Sequence, residues 1–151
     1  MRGKVVYLDS SAIVKRYVKE PGSDVVRQLY RRAYAGEVLL SFSIWNVGEV
    51  LGVLDKARNR GRLDDRSYSE ARRRFLLETR RLLRLDALLL VPLRARILVE
   101  SWRALEKYHI YQADALQIAS AKYVGSSQFF SGDRRLCEVA SKEGFNSMYL
   151  G

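Results

Sequence analysis

Five short apolar runs, set between longer helical stretches, constrain this chain more than any other feature. They are residues 5–8 (Val-Val-Tyr-Leu), 38–40 (Val-Leu-Leu), 88–91 (Leu-Leu-Leu-Val), 128–130 (Gln-Phe-Phe) and 148–150 (Met-Tyr-Leu). Most are apolar at every position instead of every second one, which is the signature of strands covered on both faces. Between them the chain reads as helix. Ser10 or Ser11 is expected to cap a first helix that turns Ile13, Val14 and Tyr17 to the core, and Glu20-Pro21-Gly22 stops it. Further helices are predicted over 23–34, 44–59, 64–84, 94–107, 112–123 and 133–144, with Ser43 and Asp64 as caps and Gly36, Gly61 and Gly125 as closing residues. Strands alternating with helices predict an α/β fold: a parallel sheet flanked by helices on both faces.

At 151 residues the chain is expected to form a single domain over 1–151. No stretch approaches the roughly 18 consecutive apolar residues of a membrane span. The basic start, Met1-Arg2-Gly3-Lys4, precedes an apolar run too short for a signal-peptide core, so a cytoplasmic location without membrane attachment is the expectation.

Scarcity of other side chains narrows the chemistry. Cys137 is the only cysteine and His109 the only histidine. Cysteine-rich zinc clusters, histidine-pair ribonucleases and Ser-His-Asp triads lose their usual parts. His109 itself is read as structural. If the protein is an enzyme, carboxylates carry the work. The balance of 27 basic against 17 acidic residues gives a net charge of +10, which suits a polyanionic partner such as nucleic acid. Residues 55–84 hold eleven basic and five acidic side chains, so that stretch supplies +6 of the total. Its arginines are expected to form a solvated helix face with partial RNA contact. Trp45, Trp102 and the tyrosines are assigned to core or interface.

In open parallel sheets a ligand sits beyond the carboxyl ends of the strands. Asp9 follows the first strand directly, and Asp133 stands three residues after Phe130. Glu49 lies one turn into an otherwise apolar helix, and Asp114 near the start of another. Acids in apolar helices need a partner, a metal or helix-end compensation to explain them. Taken together, four carboxylates make a hard, oxygen-only donor set. Such a set selects Mg2+ or Mn2+ over zinc and suits water-dependent phosphodiester chemistry.

These residues stand in motifs that resemble those of PIN-domain ribonucleases, and the compact length resembles the VapC toxins of toxin–antitoxin systems. Asp9-Ser10-Ser11-Ala12-Ile13-Val14-Lys15 is similar to the family's opening motif, and Glu49 follows in Asn46-Val47-Gly48-Glu49-Val50. Asp114-Ala115-Leu116-Gln117-Ile118-Ala119 and Ser131-Gly132-Asp133-Arg134-Arg135 resemble the third and fourth motifs. The resemblance spans about residues 5–150. It implies a flavodoxin-like parallel sheet and a Mg2+- or Mn2+-dependent endoribonuclease that leaves 5′-phosphates. Asp9 and Asp114 would be the principal metal ligands, with Glu49 and Asp133 completing the site by orienting metal-bound water or a second ion. Ser11 and Ser131 match hydroxyl positions beside the acids, or act as caps and turn formers. Arg134 and Arg135 are candidate RNA contacts. An RNA substrate, a cognate antitoxin that inserts into the groove, and a homodimer are likewise implied. Two residues depart from the pattern. Gly132 stands where a bulky residue is usual, and Gln117 where histidine is frequent.

Three other readings fit these residues less well. A non-catalytic PIN-like RNA- or protein-binding module would have little need of all four acids. A haloacid-dehalogenase-type phosphatase needs a second aspartate two residues after the first, where this chain has Ser11. A receiver domain needs an acidic doublet near the N-terminus, and none is present.

Overall fold

The structure is a computed structural model and describes residues 4–151. Five strands form one parallel sheet: β1 (Lys4–Leu8), β2 (Val38–Ser43), β3 (Leu88–Val91), β4 (Gln128–Ser131) and β5 (Asn146–Tyr149). The helices are α1 (Ser10–Tyr17), α2 (Ser23–Tyr34), α3 (Ile44–Asn59), α4 (Asp65–Arg84), α5 (Ala95–Tyr108), α6 (Gln112–Tyr123) and α7 (Arg134–Lys142). The strand order is β3-β2-β1-β4-β5. The parallel sheet with helices on both faces is as expected. The order itself differs in detail from flavodoxin's 2-1-3-4-5 and puts the switch point between β1 and β4.

Pleating divides the core in two. Val6, Leu8, Leu40, Phe42 and Phe130 pack against α1 to α4, whereas Tyr7, Val91 and Phe129 pack against α5 to α7. Consecutive residues of one strand thus serve opposite cores, which is why β1 to β4 carry apolar runs, whereas β5, expected over 148–150, is the edge strand Asn146–Tyr149 and is largely exposed.

Two boundaries moved for physical reasons. β2 extends three residues beyond its apolar run because the Ser41 hydroxyl is satisfied inside the sheet, donating to the Val6 carbonyl at 3.0 Å. The cap of α1 is Asp9, not Ser10 or Ser11: its Oδ1 accepts the Ala12 N–H at 2.9 Å. Ser43 and Asp64 cap α3 and α4 as expected. His109 ends α5 in the left-handed region, at φ 57°, on an exposed turn. Tyr7, Tyr17, Tyr30 and Tyr108 are buried, but Trp45 and Trp102 stay half exposed and Tyr111 is 83% exposed. Of the two assignments, core or interface, the tryptophans therefore do not fill the core.

One polar cluster ties the first core together. Glu78 of α4 takes Arg16 Nε at 2.8 Å and Nη2 at 3.0 Å, the Tyr17 hydroxyl at 2.9 Å and the Tyr34 hydroxyl at 2.7 Å. Three helices thereby converge on one carboxylate. Burial pushes Glu78 up, but the bonds from Arg16, Tyr34 and Tyr17 outweigh it and hold the group below its ordinary value. A depressed folded-state pKa adds stability above the unfolded value and loses it as pH falls through the folded one. Glu78→Gln should therefore cost about 2–3 kcal/mol at pH 7, with the gap to wild type closing below about pH 4, in urea denaturation series.

Candidate metal-binding active site

The carboxyl ends of β1, β2 and β4 and the start of α6 bring the four acids to one place. Asp9 leaves β1 as the cap of α1, and its N–H donates to the Phe130 carbonyl of β4 at 3.2 Å. Asp133 leaves β4 as the cap of α7, its Oδ1 accepting the Leu136 N–H at 3.2 Å. Glu49 sits in the second turn of α3 and Asp114 in the first turn of α6. All four line one open cleft of about 180 Å³ together with Ser10, Ser11, Ala113 and Gln117. A larger cavity, about 610 Å³, is lined by Ala33, Val38, Leu85 and Leu88 at the other end of the strands and holds no cluster of acids.

Ser11 and Ser131 are both present beside the acids, and each does two things. Ser11 Oγ donates to Asp9 Oδ1 at 2.6 Å and accepts the Gly132 N–H at 2.8 Å. Ser131 Oγ donates to Asp9 Oδ2 and accepts the Asp133 N–H at 2.9 Å. Asp9 thus has two acceptances on Oδ1 and one on Oδ2, leaving Oδ2 one lone pair. Gly132 sits in a tight approach: a Cβ there would lie 3.1 Å from Lys15 Cε and 3.3 Å from Ser11 Oγ. A side chain there would have to be met by small shifts of the Lys15 and Ser11 side chains.

The electrostatics are those of crowded negative charge. Burial raises Asp9 to about 6, against the opposing pull of Ser11, Ser131 and the Ala12 N–H, and the charge of Asp133 adds to the rise. Asp114 is also raised, by burial and then by the charges of Asp133 and Glu49. The cleft-facing oxygens are available. Glu49 Oε1 accepts from Ser10 at 2.7 Å and Asn46 at 3.2 Å, and no donor among the described residues meets Oε2 or either oxygen of Asp114. Among the described residues no three acidic, histidine or cysteine side chains stand close enough to cage an ion as they are. Magnesium does not need such a cage. It keeps several waters and binds through one or two carboxylates. Oxygen-only donors with free lone pairs and unrelieved mutual repulsion fit a hard divalent cation.

Arg134 and Arg135 already have partners: Arg134 lies over the Tyr149 ring at 4.5 Å, and Arg135 Nη2 donates to the Tyr108 carbonyl at 3.0 Å. Sequence reasoning missed Ser10, Asn46 and Tyr7, and took Gln117 only as a departure. The usable signal was spacing: Asn46 precedes Glu49 and Gln117 follows Asp114 by three residues, one helical turn on the same face.

The PIN domain family model matches residues 6–142. The chain belongs to the PIN-domain family. No curated protein sequence matches it. Its fold is similar to that of VapC20 from Mycobacterium tuberculosis, described as a sarcin-ricin loop cleaving toxin, with a TM-score of 0.63 and 16% identity over 93% of this chain and 95% of that one. PAE2754 from Pyrobaculum aerophilum matches with a TM-score of 0.63 and 18% identity, over 97% of this chain and 90% of that one. FitAcB from Neisseria gonorrhoeae does so with a TM-score of 0.63 and 18% identity, over 95% and 96%. At these identities the likeness establishes the PIN fold, and PIN domains are in general nucleases.

The raised Asp9 sets a stability test. Its folded pKa exceeds the unfolded value of 3.8, so its contribution is largest below pH 4 and declines as pH rises to about 6. The rise corresponds to a cost on the order of 3 kcal/mol with the group ionised. In EDTA-treated protein at pH 7, Asp9→Asn should be more stable than wild type by about 1–3 kcal/mol, the gain vanishing near pH 4. Urea melts of both proteins across that range check it. A pH-independent difference would mean that Asp9 is not charged against its surroundings.

Proposed function

We propose that this PIN domain, over the whole described chain, is a Mg2+- or Mn2+-dependent endoribonuclease and the toxin of a toxin–antitoxin pair. The observation that carries the reading is the convergence of Asp9, Glu49, Asp114 and Asp133, each from a different element, on one cleft. Asp9 and Asp114 would hold the ion. Bound there, a divalent ion supplies an activated water and neutralises charge on the phosphate. Asp9 is pre-aimed by its three donors, whereas Asp114 brings a carboxylate with no competing bond. Glu49 Oε2 and Asp133 Oδ2 would accept hydrogen bonds from water in the cleft and so orient it. The water oxygen joins phosphorus, the bond from phosphorus to the 3′ oxygen breaks, and that oxygen leaves with a proton. The products are a 5′-phosphate and a 3′-hydroxyl.

The net charge of +10 supports a nucleic-acid substrate. Arg72, Arg73, Arg80 and Arg84 are exposed on α4 and take part in no ion pair among the described residues. They make α4 a basic surface of the protein. Kinship in fold with VapC20, named as a toxin, supports the toxin reading, and a cognate antitoxin would cover the acids. The chain is read as a homodimer acting in the cytoplasm. Among the described residues no helix is long and apolar enough to cross a membrane.

The test is cleavage of total RNA by wild-type and Asp9→Asn protein, with Mg2+, Mn2+ or EDTA. Discrete 5′-phosphorylated fragments should appear only with metal, and the variant should be slower by at least about 100-fold. Cleavage that survives EDTA and the substitution would remove the acids from the chemistry. Tight RNA binding without any cleavage would favour the binding-module reading.

A further inference from the structure

We infer that Gln117 is a substrate-facing residue of the cleft: its side-chain amide holds a fixed N–H donor toward a phosphate oxygen of the bound strand. The inference rests on the nuclease reading and names a group which that reading does not use.

The orientation of the amide follows from a chain of hydrogen bonds that begins at the backbone. The Ser43 N–H, which can only donate, meets Asn46 Oδ1 at 2.7 Å. That contact fixes which end of the Asn46 amide is oxygen. Asn46 Nδ2, which again can only donate, then lies 2.8 Å from Ser10 Oγ, 3.2 Å from Glu49 Oε1 and 2.9 Å from Gln117 Oε1. The Gln117 atom that meets it must be the oxygen. The Tyr7 hydroxyl donates to that same oxygen at 2.6 Å. Tyr7 and Asn46 are fully buried, so both anchors are held by the core.

With its oxygen taken from within, Gln117 has Nε2 left for the cleft that it lines. One of the two hydrogens reaches the Ala113 carbonyl at 3.3 Å, a long bond. No acceptor among the described residues takes the other, although the side chain is only 3% exposed. A spare amide hydrogen in so closed a place needs an acceptor, and a group entering the cleft can supply it. The surroundings select the ligand. The other polar side chains of the cleft are four carboxylates and two serines, and the serine hydroxyls already donate to Glu49 and Asp9. An approaching phosphate would meet acceptors everywhere except at Gln117. The whole lock is uncharged, so it supplies a donor without adding to the repulsion among the acids. A preorganised donor of this kind strengthens as charge builds on the phosphoryl oxygens.

Four variants test it: Gln117→Glu and Gln117→Met remove the donor at nearly constant size, Gln117→His retains an N–H, and Tyr7→Phe loosens the lock. The readouts are kcat and KM for RNA cleavage at saturating Mn2+, thermal melts, and the Kd of each Gln117 variant for single-stranded RNA in the cleavage-dead Asp9→Asn background. Gln117→Glu and Gln117→Met should lower kcat/KM about 10- to 100-fold at temperatures where the melts show folded protein. Gln117→His should recover most of that loss, and Tyr7→Phe should lower kcat several-fold with little change in KM. Losses that merely track the unfolded fraction, or the absence of rescue by histidine, would make Gln117 a structural residue and overturn the inference. If wild type cuts no RNA, the nuclease reading fails and the binding arm decides the rest: Gln117→Glu should still weaken RNA binding about tenfold, and unchanged binding overturns the inference as well.

Discussion

The burial of one carboxylate, Asp9, governs the rest of this structure. A charged group 5% exposed at the end of a central strand demands donors, and the chain supplies three of them from two places. The first turn of α1 gives the Ala12 N–H and the Ser11 hydroxyl, and the end of β4 gives the Ser131 hydroxyl. Those same serines accept the N–H groups of Gly132 and Asp133, so the turn that carries the fourth acid is shaped by the needs of the first. Gly132 lets the two segments come that close.

The capping role and the candidate metal role are not rivals at Asp9 and Asp133. Each caps a helix with one carboxylate oxygen and keeps capacity on the other toward the cleft. The helix end fixes the rotamer, and the other oxygen then lies where the strand ends aim it. Structural and functional demands thus fall on the same side chain, which explains why these acids look ordinary one at a time.

The architecture was legible because strands buried on both faces leave an uninterrupted apolar run, and Tyr7 beside Leu8 or Phe129 beside Phe130 record that burial directly. The acids were legible because Glu49 and Asp114 interrupt apolar helices. What stayed hidden depends on partners far apart in sequence. Ser41 ended the apparent second strand because its bond to the Val6 carbonyl lies across the sheet. Asp9 was passed over as a cap because its neighbours Ser10 and Ser11 are equally good candidates by residue type. The network of Tyr7, Asn46 and Gln117 joins positions up to 110 residues apart, and no local pattern reveals such a contact.

The strand order has a kinetic consequence. β1 lies at the centre of the sheet, yet its neighbour on the side of the switch point, β4, begins at Gln128. Asp9 and Asp133 are therefore joined only when a loop of more than a hundred residues closes. Contacts so distant along the chain form late and cooperatively. A chain still emerging from a ribosome carries Asp9, Glu49 and even Asp114 before it carries the strand that assembles them. For a protein whose proposed substrate is RNA, the machinery that makes it is the nearest RNA of all. The connectivity of the sheet holds the cleft incomplete until nearly all of the described chain has been made.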